Sequence, residues 1–268
     1  MPRSTLSVAI ITLNEADNLE RTLASVRFAD EIVVVDSGST DRTVEIAKSF
    51  GAKVFSEGWK GFALQKNSAI DKCVGTWVLS LDADEELTTE LQAEIRGMLE
   101  ADERILSQVD GYRLRLRHIF LGRWMRYGGY YPDMKLRLFR RVTNSGLAHF
   151  TERPVHESVQ VAGRVETMKQ DFLHHGYPNL EIYLEHMNRY STLGAQITAA
   201  KGKLSRSWPT FYWNVAVVPL LTFLWNYIFR LGFLDGREGL LLHLYHSAYS
   251  SWKYAKAWQI GIRSKKTT

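Results

Sequence analysis

Two acidic residues at alternate positions, Asp82 and Asp84, directly follow the apolar run from Trp77 to Leu81. If that run is a strand, both carboxylates emerge where it ends, and alternate positions can face the same side. Paired carboxylates beside a crevice suit a hard divalent cation that keeps open positions for diphosphate oxygens. Such an ion would neutralise charge on a departing nucleotide. Acidic triplets also occur at solvated helix starts, so the spacing alone leaves both interpretations open.

A further acidic residue, Asp36, closes the apolar run from Ile32 to Val35 and precedes the small residues Ser37 and Gly38. Small residues let a ligand approach the backbone closely. A carboxylate at this position can accept hydrogen bonds from a base or a ribose. The alternative is that Asp36 only caps its own turn, as Asp41 caps the helix that follows.

Short apolar runs alternate with helical patterns through the first hundred residues. The predicted strands are residues 6–13, 32–35, 53–55 and 77–81, and the predicted helices are residues 15–26, a segment around 44–47, 61–74 and 88–101. This order predicts an α/β fold with a parallel, doubly wound sheet and a ligand crevice at the carboxyl ends of its strands. Polar residues lie at three of those ends: Asn14 with Glu15, Asp36, and Asp82 with Asp84.

After residue 101 the hydrophobic period changes to two. Residues 112–117 and 135–140 alternate in this way, which predicts antiparallel strands added to the sheet. Residues 179–203 are predicted to form a polar helix, and residues 205–209 a hinge.

The C-terminal quarter is basic and aromatic. Residues 201–268 hold ten Lys and Arg against Asp235 and Glu238, and residues 208–258 hold fourteen of the 32 aromatic residues. The basic residues flank apolar stretches, which argues against nucleic acid and predicts helices lying on an anionic membrane surface. For the apolar stretch 211–233, a packed core, a dimer surface or a true span are the alternatives.

The single cysteine, Cys73, excludes an intrachain disulfide and fits a reducing compartment. We expect it to be a buried structural thiol. The first apolar run is too short for a secretory signal and is followed at once by Asn14 and Glu15. We therefore expect no signal peptide and a cytoplasmic location.

Four motifs in this order resemble those of family 2 glycosyltransferases with the GT-A fold. They are Thr12-Leu13-Asn14-Glu15, Val35-Asp36-Ser37-Gly38-Ser39-Thr40-Asp41, Gln65-Lys66-Asn67 and Leu81-Asp82-Ala83-Asp84-Glu85. The resemblance implies a Rossmann-like, mainly parallel sheet, an inverting mechanism, a nucleotide-diphosphate sugar donor, and Mg or Mn. It also implies site residues: Thr12, Leu13, Asn14, Glu15 and Asp36, with Ser37 and Gly38, around the nucleoside, Lys66 near it or near the diphosphate, and Asp82 and Asp84 beside the sugar and the metal.

Three further segments resemble the branch that adds glucose to the inner core of bacterial lipopolysaccharide, the β-1,4-glucosyltransferase type. They are residues 58–62 (GWKGF), 154–157 (PVHE) and 232–239 (GFLDGREG). The resemblance implies transfer of glucose from UDP-glucose to a lipid-linked or lipopolysaccharide-core acceptor by a peripheral protein on the cytoplasmic face of the inner membrane. We accordingly predict a catalytic domain over residues 1–204 and a membrane-associating helical region over residues 205–268.

Inversion requires a base that takes the proton of the acceptor hydroxyl. Glu157 is the first candidate, because a carboxylate after a turn can project into the crevice, and Asp133 is the reserve. The adjacent His156 is a candidate metal ligand. Arg137, Arg140 and Arg141 are candidates for holding the diphosphate or an anionic acceptor, with a solvated strand face as the alternative.

Three other functions fit parts of the sequence. A polyprenyl-phosphate sugar synthase would differ only in its acceptor. A nucleotidyltransferase should carry a Gly-rich, basic phosphate loop after the first strand, which residues 12–15 do not provide. A non-catalytic membrane-binding module would explain the C-terminal part but leave the carboxylates without a role.

Overall fold

The computed structural model of the chain describes residues 4–143, 146–151, 158–161 and 163–266. The chain forms two compact units. The first unit lies within residues 1–117 and 133–175, and the second within residues 118–132 and 176–268. The predicted division of the chain between residues 204 and 205, into a catalytic domain and a membrane-associating region, stays a prediction.

The first unit begins with the predicted alternation of strands and helices. Its early strands are β1 (Leu6–Thr12), β2 (Glu31–Asp36), β3 (Lys53–Ser56) and β4 (Trp77–Asp82), and its helices are α1 (Ala16–Ser25), α2 (Thr43–Ser49), α3 (Phe62–Asp71), α4 (Thr89–Leu99) and α5 (Glu103–Leu106). The later strands are β5 (Glu85–Leu87), β6 (Gly111–Phe120), β7 (Arg123–Met125), β8 (Asp133–Arg140), β9 (Val142–Thr143), β10 (Gly146–Leu147), β11 (His149–Thr151), β12 (Ser158–Gln160) and β13 (Val165–Tyr177). Strands β6 and β13 run past the unit's boundary residues, and β7 belongs to the second unit.

The main sheet has the order β3-β2-β1-β4-β8-β6-β13-β5, and β7 pairs with β6. Strand β1 pairs in parallel with both β2 and β4, whereas β8 is antiparallel to β4 and β6. The predicted parallel sheet with added antiparallel strands is confirmed. Because β1 lies between β2 and β4, the carboxyl ends of these three strands meet at one edge.

Both faces of strands β1, β2 and β4 are covered, which explains their continuous apolar runs. Leu6, Val8 and Ile10 belong to a core that includes residues of α1, α2 and α4. Ala9 and Ile11 face the opposite way, into a core with α3 and the β11–β12 hairpin. Cys73 lies in this second core, 3% exposed, where burial raises the pKa of its thiol to about 12. The expectation of a buried thiol is confirmed.

The second unit is mainly helical. It contains α6 (Leu180–Ala200), α7 (Trp208–Tyr212), α8 (Val218–Phe223) and α9 (Gly236–Lys266), with π-helical turns at Trp213–Val217 and Leu224–Phe229 and a 3₁₀ turn at Gly232–Asp235. The predicted hinge ends earlier than expected, because Pro209 occupies the first turn of α7, where its missing N–H is harmless. An aromatic core joins Phe120 and Tyr183 to Leu242 of α9.

The helical stretch Trp208–Phe229 is long and apolar enough to cross a membrane by length and composition, with 22 residues and a mean hydropathy of 1.2. Only 6% of its most apolar window is buried. This low burial contradicts the alternative that the stretch packs into the chain's own core. The prediction that it lies on a membrane surface remains open to test.

Two glycines test the packing of the first unit. A Cβ on Gly75 would lie 2.7 Å from the backbone nitrogen of Ser7, whereas one on Gly97, in the interior of α4, would meet nothing within 4 Å. We expect Gly97→Ala to raise the free energy of unfolding by roughly 0.5–1 kcal/mol and Gly75→Ala to lower it by about 1–3 kcal/mol. Urea denaturation measures both, and unchanged stability of Gly75→Ala would contradict the close packing of β1.

Candidate active site

Three strand ends form the floor of the candidate site. Thr12 pairs with Asp36 across β1 and β2, and Ile11 pairs with Asp82 across β1 and β4. The register therefore brings Thr12, Asp36 and Asp82 to the same edge of the sheet, as the sequence predicts. In doubly wound sheets this edge is where ligands bind.

The Asp36 carboxylate is occupied by its own turn. It accepts hydrogen bonds from the backbone N–H of Gly38 and of Ser39, both at 3.0 Å, and from the Ser39 hydroxyl. Asp41 likewise accepts from Ala16 and Thr43, the first residues of α1 and α2. Asp36 therefore caps its own turn, and its contact with a nucleoside stays a prediction.

The loop after β1 is fastened to the loop after β2. Asn14, whose φ of 55° is unusual for a residue other than glycine, accepts a hydrogen bond from Thr40 N–H at 2.8 Å and donates its own N–H to the Ser39 hydroxyl. Leu13 stays 48% exposed. Burial raises the pKa of Glu15, and the nearby carboxylate of Asp84 raises it further. Glu15, at the end of this loop, is thus near enough to Asp84 for their charges to interact.

Some polar groups at this edge have no protein partner among the described residues. The buried hydroxyl oxygens of Thr12 and Ser37 accept and donate no hydrogen bond there. Beside them Gly38 has a φ of 101°, and a Cβ on it would meet nothing within 4 Å. Buried polar groups are almost always paired, so this open edge has unmet capacity for a polar ligand.

Asp82 is the centre of a charged network. Its carboxylate contacts Lys66 Nζ at 2.9 Å and Arg137 Nη2 at 2.8 Å. Arg137 also pairs with Glu85, which accepts the Asp82 backbone N–H at 2.9 Å. Burial raises the pKa of Asp82, but Lys66 and Arg137 lower it by more, so it lies well below its usual range. Both oxygens of Asp82 are thus held by protein cations.

The three arginines predicted to hold a diphosphate or an acceptor do not lie together at the candidate site. Arg137 is 8% exposed and committed to Asp82 and Glu85. Arg140 lies over the Trp77 ring at 4.9 Å, and Arg141 donates to the Gly75 carbonyl. Trp77 and Gly75 are at the amino end of β4, so Arg140 and Arg141 are at the opposite edge from the carboxylates.

Asp84 has a different partner from Asp82. His174 Nε2, on β13, lies 3.1 Å from Asp84 Oδ2. Burial lowers the pKa of His174, but Asp84 raises it by more, to about 9. The next residue, His175, donates its backbone N–H to the Asp84 carbonyl and contacts Glu86 through its ring. Sequence reasoning missed both histidines, and the signal was the His-His pair that follows the apolar Phe172-Leu173.

The chemistry of this pair fits a divalent cation. Asp84 and His174 offer carboxylate oxygen and imidazole nitrogen, which suit Mg or Mn when other ligands complete the set. Among the residues that the structure describes, no three His, Cys, Asp or Glu side chains are grouped to hold a metal ion. The pair fits an ion that takes its remaining ligands from diphosphate oxygens and water.

The predicted base and one predicted metal ligand, Glu157 and His156, lie outside the described residues. The reserve base, Asp133, is at the start of β8, where it contacts Lys135 Nζ at 3.0 Å. The geometry therefore does not decide between Glu157 and Asp133.

A parallel α/β sheet with polar residues at its carboxyl edge is typical of nucleotide-binding proteins. The model of Glycosyl transferase family 2 matches residues 7–159, and the chain belongs to this family. It is therefore a glycosyltransferase, and the alternatives of a nucleotidyltransferase and of a non-catalytic module are not supported.

Relatives and solved structures agree with this assignment. The chain is 30% identical to an uncharacterized glycosyltransferase of Rickettsia typhi, over 97% of this chain and 89% of the relative. It is 32% identical to the lipopolysaccharide core biosynthesis glycosyltransferase LpsC of Rhizobium meliloti, over 88% and 83%.

Two solved structures share the fold over nearly the whole chain. The mannosyltransferase PcManGT of Pyrobaculum calidifontis, in complex with GDP-Man and Mn²⁺, matches with a TM-score of 0.54 and 17% identity, covering 96% of this chain and 88% of that one. TarS 1–349 of S. aureus, in complex with UDP-GlcNAc, matches with a TM-score of 0.50 and 16% identity, covering 97% and 92%. The predicted GT-A-like α/β fold, with C-terminal helices that include an apolar one, is confirmed.

The charged network predicts a large cost for removing its buried cation. Arg137→Met leaves Asp82 and Glu85 without their shared partner, and we expect it to lower the free energy of unfolding by about 3–5 kcal/mol. The matched control is Arg113→Met on β6, which removes an exposed arginine and should change stability by less than about 0.5 kcal/mol. Chemical denaturation of both variants checks this, and equal stabilities would show that the network is dispensable.

Proposed function

We propose that this chain is an inverting glycosyltransferase that moves glucose from UDP-glucose onto a lipid-linked acceptor, the inner core of lipopolysaccharide. The observation that carries the proposal is the Asp84–His174 pair at the carboxyl edge of a family 2 sheet. A metal ion held there would bind the donor's diphosphate and stabilise the charge that develops on the leaving nucleotide.

The nucleoside is assigned to the edge formed by the loops after β1 and β2. The hydroxyls of Thr12 and Ser37, which have no partner among the residues that the structure describes, and the open space beside Gly38 support this assignment. Leu13 offers exposed apolar surface in the same loop. Lys66 and Asp82 neutralise each other at 2.9 Å, so we propose that they shape the floor of the donor site.

The metal is assigned to Asp84, with Mg or Mn as the ion. His174 is proposed as its imidazole ligand because it already lies against the Asp84 carboxylate. His156 stays a second candidate from the sequence. The complex of PcManGT with GDP-Man and Mn²⁺ supports a divalent ion in this fold.

The acceptor and the location rest on different support. The similarity to LpsC, a lipopolysaccharide core biosynthesis glycosyltransferase, supports an inner-core acceptor. The exposed apolar stretch Trp208–Phe229 supports a peripheral position on the cytoplasmic face of the inner membrane, where such an acceptor is presented. A polyprenyl phosphate is the alternative acceptor.

The proposal predicts metal-dependent release of UDP from UDP-glucose by the purified full-length chain. Asp84→Ala should lower turnover about 100-fold or more, because the ion's charge stabilisation is lost. His174→Ala should weaken Mn²⁺ binding, measured calorimetrically with UDP present, by about 10- to 100-fold. His175→Ala is the matched control, since its ring contacts Glu86 and not Asp84, and should bind Mn²⁺ like the parent.

A panel of UDP-, GDP- and CMP-sugars separates the parts of the proposal. Release from another nucleotide sugar would correct the donor and keep the reaction class. Stimulation by a short polyprenyl phosphate, and not by inner-core lipopolysaccharide, would correct the acceptor. If no nucleotide sugar binds in a metal-dependent way, the proposal fails.

The choice of base gives a separate prediction. Glu157→Gln should lower transfer about 100- to 10,000-fold, the usual contribution of a general base, with unchanged affinity for UDP. Asp133→Asn, the matched variant, should keep near-parental transfer. Initial-rate kinetics and UDP calorimetry test both. The opposite pattern would make Asp133 the base, and equal loss of UDP affinity in Glu157→Gln would remove Glu157 from that role.

A further inference from the structure

The GFLDGREG segment, residues 232–239, has a structural task in the second unit. The Asp235 carboxylate is 2% exposed and accepts the backbone N–H groups of Arg126 at 3.1 Å and Tyr127 at 2.8 Å. The Arg230 carbonyl accepts the N–H of Gly128 at 2.9 Å. These bonds hold the loop after β7 against the turn before α9, and they use main-chain atoms of the loop.

This attachment brings together chain segments that carry arginines. A Cβ on Gly129 would lie 2.0 Å from Arg230 Nη1, and one on Gly236 would lie 3.1 Å from Arg123 Nη1. Both glycines have positive φ, 91° and 71°, so they supply the turn and the space for a guanidinium group. Arg126, whose backbone N–H binds Asp235, and Arg237, which follows Gly236 in the chain, are exposed as well.

The charge of this surface is positive. Its cations are Arg123, Arg126, Arg230 and Arg237, and its described acids are the buried Asp235 and Glu238, which lies 3.7 Å from Arg123. We call these four arginines the arginine rim. Two positive charges remain in excess, and guanidinium groups are well matched to phosphate oxygens.

An exposed apolar tip adjoins the arginine rim. Phe229 is 70% exposed, and Leu231, Phe233 and Leu234 are 45%, 44% and 46% exposed. Leu231 has a φ of 61°, a conformation that costs free energy in a branched residue. The backbone thus takes a strained turn that leaves large apolar side chains in water, which marks an interaction surface.

We propose that the arginine rim and the apolar tip form a docking site for an anionic phospholipid bilayer. The arginines bind headgroup phosphates, and the apolar tip enters the boundary between headgroups and acyl chains. A nucleic acid would satisfy the arginines but leave the apolar tip exposed to water. The docking site would bring the chain to a lipid-borne acceptor, so its biological role rests on the proposed function. Its test measures vesicle binding and does not depend on turnover.

The test is co-sedimentation of the full-length chain with vesicles of phosphatidylglycerol and phosphatidylcholine, compared with phosphatidylcholine alone. The double variant Arg126→Ala/Arg237→Ala leaves every main-chain bond to Asp235 in place. At about fivefold for each arginine near an anionic surface, it should bind anionic vesicles about 25-fold more weakly. Its matched control is Lys48→Ala/Arg104→Ala, which removes two exposed cations from the first unit and should bind within about twofold of the parent.

The apolar tip is tested by Phe229→Ala/Leu234→Ala against Val74→Ala/Ile105→Ala, which trims apolar residues of the first unit that are at least as exposed. Only the first pair should weaken vesicle binding.

Parental binding by the arginine variant, or equal binding of the parent to both vesicle types, overturns the proposal. Competition by glycerol phosphate at the vesicles' own phosphate concentration would show a phosphate site instead of a bilayer site. UDP release without vesicles is measured in parallel, so failure of the glycosyltransferase proposal is recognised separately.

Discussion

The carboxyl edge of the parallel strands is held together by one ion network. Asp82 ends β4 between Lys66 of α3 and Arg137 of β8, and Glu85 completes the network through Arg137 and the Asp82 backbone. Each charge is costly to bury alone and tolerable when paired. The network therefore ties a parallel strand, a helix and an antiparallel strand together at the point where a donor would bind.

This constraint separates the two carboxylates of the DAD motif. Asp82 has both oxygens held by cations of the protein, whereas Asp84 faces an imidazole that a metal can share. We propose that the first carboxylate is structural and that the second binds the metal ion. The same strand end supplies both because alternate positions meet different neighbours: Lys66 and Arg137 for Asp82, and His174 of β13 for Asp84.

The sequence predicted the parallel half of the fold well because its information is local. Buried strands such as β1 and β4 are continuous apolar runs, and the polar residues at their ends mark the ligand edge. The sequence did not reveal which distant segments of the chain pair with each other. His174 reaches Asp84 only because β13 pairs with β5, and the roles of Arg137 and Arg140 differ because they meet opposite ends of β4. The sequence pattern presents three similar arginines close together, and it does not show which of them a distant carboxylate will bind.

The most direct test of the central claim is anomalous diffraction at the manganese edge from crystals grown with UDP and Mn²⁺. The account predicts one manganese peak coordinated by Asp84 and His174 and by diphosphate oxygens, with Asp82 still bound to Lys66 and Arg137. A manganese ion coordinated by Asp82, with Lys66 or Arg137 displaced, would contradict the division of roles on which the account rests.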